Sequence, residues 1–258
     1  MMSGIQEELH LANKQGLITS GHSNADREKQ AIESLISHQC DALILHVEAI
    51  SDDYLIALSQ RKIPFVLLNR YIEDIADQCI VLDDYHGGYI ATRLLLDYGH
   101  RDIAYITGPK WKVDSSLRYG GHKKAISEHD IEFDSDLIFE GDFTKDSGIE
   151  AAKKLLKQGK PFSAVVCGND EMAAGALGYI RDSNISIPND VSVIGYDDIN
   201  VANYLYPRLT TVRYPIGEMA SMAAKWVLKN VYQQDVQVIN TFTPSLVLRD
   251  SCAPRKIH

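Results

Sequence analysis

Long apolar runs, cysteine pairs and catalytic signatures are missing from this 258-residue sequence. No stretch approaches the roughly 20 consecutive apolar residues of a membrane-spanning helix. The opening segment, MMSGIQEELHLANKQG, has neither a basic start nor an apolar h-region, so no signal peptide is read there and a cytoplasmic location is expected. The four cysteines, Cys40, Cys79, Cys167 and Cys252, are far apart and form no C-x-x-C pair. Three of them lie in or beside apolar runs, which reads as small buried hydrophobes under reducing conditions rather than zinc ligands or disulfides.

Chemistry-bearing motifs are equally sparse. There is no G-x-G-x-x-G, no P-loop, no H-E-x-x-H and no G-x-S-x-G. The nine histidines are scattered, and neither His46 nor His86 has a second ligand at metal-like spacing. No metal, no cofactor and no enzymatic activity are expected. Basic residues number 26 against 35 acidic ones, a net charge of -9, which argues against a chain that coats nucleic acid.

What the sequence does have is alternation. Short Val/Ile/Leu-rich runs predict strands at 17–20, 42–47, 64–68, 79–82, 102–107, 137–140, 164–167, 191–196, 209–212 and 246–248. Amphipathic runs predict helices at about 26–38, 53–60, 87–98, 116–129, 146–158, 170–182 and 216–232. An opening helix would be capped by Ser3, with Gln6 in the capping-box position, and stop at Gly16. Strands with little polar alternation are buried on both faces, which means α/β architecture with parallel sheets flanked by helices.

A weak internal echo links Leu35-Ile36 and Ala42-Leu43-Ile44 to Leu155-Leu156 and Ala164-Val165-Val166, so two similar halves are expected. Ligands in such sheets bind beyond the carboxyl ends of the strands. The polar residues there are Asn69, Asp83, Asp84, Asn169, Asp170, Asp197 and Asp198, expected to line one cleft. Adjacent carboxylates on a strand point to opposite faces. Each Asp pair is therefore read as one residue capping the next helix and one available for binding.

Four segments carry a resemblance: GHRDIAYITGP (99–109), CGNDEMAAGAL (167–177), IPNDVSVIGYDD (187–198) and PRLTTVRYP (207–215). In order and spacing they resemble the effector-binding core of the lactose/galactose repressor family of bacterial transcription regulators, most of all galactose operon repressors. The resemblance covers nearly the whole chain. It implies a two-lobed, periplasmic-binding-protein-like (type I) fold. The first lobe would comprise residues 1–107 plus 215–240, and the second 108–214 plus 241–258. It implies a sugar effector, galactose by preference, whose binding controls affinity for operator DNA, and a homodimer.

Carried over residue by residue, the effector contacts are Arg118, Asn169, Asp197 and Phe143. Asp84 and His86 on the first lobe and Tyr214 at a crossover are secondary candidates. Arg118 offers a planar fork for vicinal hydroxyls and is expected at the cleft surface, so that its loss would spare the fold. Asp197 would accept sugar hydroxyl protons, and Phe143 would pack on the sugar's apolar face. The residues alone leave a structural reading open: an ion pair for Arg118, a helix cap for Asn169, a core position for Phe143.

Two departures stand out. The family's helix-turn-helix headpiece has no counterpart here, so operator DNA would be reached only through a headpiece missing from this chain. A strand that relatives place before the first helix is missing as well. A periplasmic-type sugar-binding protein of the same fold is the alternative reading.

Overall fold

The computed structural model describes residues 1–255. The first third of the chain carries α1 (Met2–Leu11), α2 (Ala25–Ser37), β1 (Leu43–Leu45), α3 (Asp52–Ser59), β2 (Phe65–Leu68), β3 (Cys79–Leu82) and α4 (Asp84–Asp97). The middle carries β4 (Ile103–Thr107), α5 (Val113–Ser127), β5 (Ile138–Glu140), α6 (Lys145–Gln158), β6 (Ala164–Cys167) and α7 (Asp170–Asp182). Then come β7 (Ser192–Asp197), α8 (Val201–Tyr204), β8 (Thr210–Arg213), α9 (Ile216–Tyr232), β9 (Thr241–Phe242) and β10 (Ser245–Val247).

These elements form two compact units. The first unit contains Met1–Leu82 and Pro215–Phe242. Its sheet has the order β1-β2-β3-β9, parallel throughout. All four residues of β2 are buried, as a central strand covered on both faces requires. Ile32, Leu43, Leu55, Phe65 and Leu67 form the centre of its core. Asn24 and Ser51 cap α2 and α3 through their side chains. Glu28, buried on α2, accepts the backbone N–H groups of Glu48, Ala49 and Ile50 at 2.8–3.0 Å. A buried carboxylate thus satisfies a loop that no strand pairs.

The second unit contains, among the described residues, Asp83–Tyr214 and 243–255. Its six strands run in the order β10-β8-β7-β6-β4-β5, parallel except for the antiparallel β10. Asp83, Thr144 and Asn169 cap α4, α6 and α7. α4 and α5 lie in close contact because glycines face each other. A side chain on Gly88 would overlap the Arg118 carbonyl, and one on Gly121 the Tyr85 carbonyl.

Several expectations are corrected. Residues 17–20 form no strand: no backbone of the described residues pairs with them, and Leu17 and Ile18 are exposed. α1 has no side-chain cap from Ser3; it starts at Met2 and ends at Leu11, well short of Gly16. Residues 83–107, assigned from sequence to the first lobe, group with the second unit, because β4 pairs with β5 and β6 in its sheet. β9 was not anticipated; two residues are too few to show a period. The four cysteines are free thiols, with Cys79 and Cys167 buried and Cys40 and Cys252 partly so. Among the described residues no helix is long and apolar enough to cross a membrane.

Candidate functional site

The parallel strands β4, β5, β6, β7 and β8 end side by side, and the polar residues that follow them gather within the second unit. That is where open α/β sheets bind ligands, because chain reversals leave backbone groups and helix N-termini facing outward there.

Arg118, on α5, is at the centre. It is only 3% exposed. Its Nε donates to Asp84 Oδ1 at 2.7 Å and its Nη1 to the Gly168 carbonyl at 2.8 Å. The guanidinium lies 3.8 Å over the Tyr196 ring, and the Tyr196 hydroxyl donates to the same Asp84 oxygen at 3.0 Å. Asp197 stands 3.6 Å from the same Nη1, and Asp114 3.7 Å from Nη2. The expected surface position of Arg118 is therefore wrong. Burial beneath Tyr196 and charge pairing with Asp84 make it part of the interior, and the structural ion-pair reading holds for this contact.

Asp84 is not on the first lobe. It opens α4 in the second unit, buried, and holds both Arg118 and Tyr196. Asp83 caps α4 by accepting from His86 N at 2.9 Å, the capping half of the reading for this pair, whereas Asp84 is engaged by Arg118 and Tyr196 instead of being left open. Asp197 differs. Burial pushes its carboxyl up to about 7, with Arg118 pulling the other way. Its carboxylate accepts no hydrogen bond within 3.5 Å from any described residue. Its φ is +115°, and those of Asp198 and Phe143 are +59° and +69°. Non-glycine residues pay a steric penalty in this region, and such strain gathers at binding sites.

Asn169 caps α7 through Oδ1, which accepts from Met172 N at 2.9 Å, while Nδ2 donates to the Phe143 carbonyl at 2.9 Å. The capping role is real, and one amide proton remains. Phe143 sets its ring against Gly108, where any side chain would collide with it, and packs partly buried against the second unit's core. The hydroxyl of Tyr214 is buried with no hydrogen-bond partner among the described residues. The charges of Asp84, Arg118 and Asp197 all act on it. His86 is not brought into this group; its ring stacks near Tyr89 at 6.3 Å. Asp170 is structural: it accepts from Thr211 Oγ1 at 2.6 Å and Ile199 N at 2.9 Å. Asp198 pairs with Arg213 and Arg249.

Sequence reading missed Tyr196 and Asp114. Tyr196 was visible only as part of a strand, and its contact with Asp84 spans 112 residues. Asp114 stands four residues before Arg118, one helical turn, which was the available signal. Among the described residues no cluster of His, Cys, Asp and Glu could hold a metal ion.

Strand-end polar groups on a parallel sheet, with a buried arginine and idle acceptors and donors, define a small-molecule-binding module. Residues 92–252 match the family model described as a periplasmic binding protein-like domain. The HTH-type transcriptional regulator GalR of Escherichia coli K12 is 38% identical over 252 residues, covering 97% of this chain and 74% of the relative. The regulator GalS of Salmonella typhimurium is 38% identical over 93% of this chain and 71% of its own length. A solved sugar-binding transcriptional regulator of the LacI family from Escherichia coli, complexed with phosphate, superposes with a TM-score of 0.89 at 32% identity; the match covers 98% of this chain and 95% of that one. The chain belongs to the LacI family of transcription regulators and comprises an effector-binding domain. Within that family it stands close to GalR and GalS.

Proposed function

We propose that this chain is the sugar-sensing core of a cytoplasmic transcriptional repressor, with galactose as its effector and operator DNA bound through a headpiece outside this sequence. The observation that carries the reading is a set of idle polar groups around one buried cation. The Asp197 carboxylate accepts nothing, the Tyr214 hydroxyl donates to nothing, and Asn169 keeps one free amide proton. A sugar meets all three, because each hydroxyl both donates and accepts. An unmet buried polar group such as the Tyr214 hydroxyl costs roughly 1–3 kcal/mol, so a ligand that satisfies it gains that amount back.

Arg118 serves here by its field and by holding Tyr196 and Asp84 in place. Phe143, only partly buried, offers the open part of its ring to the apolar side of a pyranose. Kinship to GalR and GalS, and to the solved sugar-binding regulator of Escherichia coli, supports a sugar over other effectors. Sugar binding sets DNA affinity to the extent that the sugar binds one of two conformations better.

Calorimetric titration with galactose, with glucose and adenine as controls, tests this reading. Selective, saturable galactose binding is expected, and Asp197→Asn weakens it at least about tenfold by removing the charged acceptor. A folded protein, checked by circular dichroism, that ignores galactose removes galactose as effector. Full affinity in Asp197→Asn removes this site.

A further inference from the structure

At the amino ends of β4, β5 and β6, the end of the sheet opposite to the strand-end cluster, the second unit contains a cavity of about 440 Å³. That is the size of a small-molecule pocket, for which roughly 300–1,000 Å³ is usual. Ile126, Phe133, Leu137 and Ile138 supply apolar walls, and His122 on α5 lines it.

His122 is 1% exposed and held in one tautomer. The single hydroxyl proton of Thr92 goes to the Gly88 carbonyl at 3.0 Å. The 2.9 Å contact between Thr92 Oγ1 and His122 Nδ1 therefore has Nδ1 as donor. Nε2 is then a bare lone pair. Burial holds the ring neutral, pushing its pKa down to about 3. No described residue donates to Nε2. Tyr105 and Tyr119 flank the ring at 4.6 and 6.2 Å and fix its plane. A fixed acceptor in the cavity wall with no protein donor is met only by a donor from the cavity itself.

The charged rim asks for nothing. Arg101 Nη1 donates to the Leu96 and His100 carbonyls. Asp102 pairs with Arg255 at 3.1 Å, and Lys160 pairs with Asp134 and Asp136. Glu132 is exposed at the edge. With Arg101, Asp102, Asp134 and Lys160 engaged within the protein and Glu132 turned to solvent at the edge, the cavity suits a neutral guest.

We propose that this cavity is a second ligand site, separate from the strand-end cluster, that takes a neutral molecule of one or two rings whose N–H or O–H donates to Nε2 of His122. Indole is the probe, with 1-methylindole as the matched molecule lacking the donor. Titration followed by amide NMR should show saturable shifts for indole confined to α5 and residues 131–138, with a dissociation constant of about 1 mM or tighter. 1-Methylindole should bind about tenfold more weakly. Ser135→Trp, which adds bulk at an exposed wall residue, should abolish indole binding and leave galactose affinity unchanged. His122→Phe should bind both probes alike; should that variant fail to fold, Ser135→Trp and the probe pair still decide. Absence of saturable indole binding, equal affinity for both probes in the parent protein, shifts elsewhere, or full binding by Ser135→Trp would each overturn the proposal.

Discussion

Arg118 and Asp197 stand 3.6 Å apart, yet their removal should have opposite effects on stability. Arg118 is sealed in, with Asp84 as its buried counter-charge. Arg118→Ala leaves Asp84 buried without its counter-charge and Tyr196 without its cation, so the second unit should lose about 3–5 kcal/mol, read by urea unfolding. Asp197 is the reverse case. Its folded pKa, about 7, lies above the ordinary carboxylate value, so the native state holds a proton that the unfolded chain releases. Its contribution to stability falls as pH rises between about 4 and about 7. Asp197→Asn should therefore be more stable than the parent at pH 8 and no more stable at pH 3.5, while galactose binding is weakened. A stability gain at the expense of function is the usual mark of a binding residue. The sequence motifs were enough to single out both residues. They did not reveal the burial of Arg118, because its neighbours Asp84 and Tyr196 come from 34 and 78 positions away, and only folding brings them together.

Helices and strands with strong periodicity were legible to within a few residues: α2, α6, α7, α9 and the apolar strands β2, β3, β4 and β6 follow their patterns. Residues 17–20 carry a strand-like pattern but find no partner, and a strand without a neighbour leaves its hydrogen-bonding groups to solvent. The reverse failure is the α4–α5 contact. Gly87, Gly88, Gly120 and Gly121 look like helix weakeners in sequence, yet Gly88 and Gly121 are where two helices approach to backbone contact. Gly88→Val forces α4 away from the Arg118 carbonyl. It should cost about 3 kcal/mol or more and weaken galactose binding through the shift of α5, whereas Gly178→Ala, with open space around it, should be neutral or slightly stabilising in the same assay.

At the scale of the whole molecule, sequence alone could not say which sheet takes which strand. The run at 102–107 has the same composition as the strands of either unit. Only its pairing with β5 and β6 assigns it, and with it all of residues 83–107, to the second unit. Surface character also emerges only after folding. Tyr204 and Tyr206 are 85% and 83% exposed, with Ile199 nearby in sequence and also exposed. Large exposed aromatics are enriched at protein interfaces, which suits the homodimer expected from the family resemblance. Tyr206→Asp should then shift the molar mass measured by light scattering toward that of a single chain, with the circular dichroism spectrum unchanged.

The free thiols give the two units built-in clocks. Burial raises the thiol pKa of Cys79 in the first unit, raises that of Cys167 in the second well above the ordinary range, and pushes Cys252 up to about 12. An alkylating reagent attacks only thiolate, so these three should stay unlabelled until their unit opens, while Cys40 reacts first. Mass spectrometry of the labelled peptides would then time the opening of each unit separately in one unmodified protein. Saturating galactose should slow the labelling of Cys167 and Cys252, turning the grip of the sugar into a rate measured on sulfur atoms that never touch it.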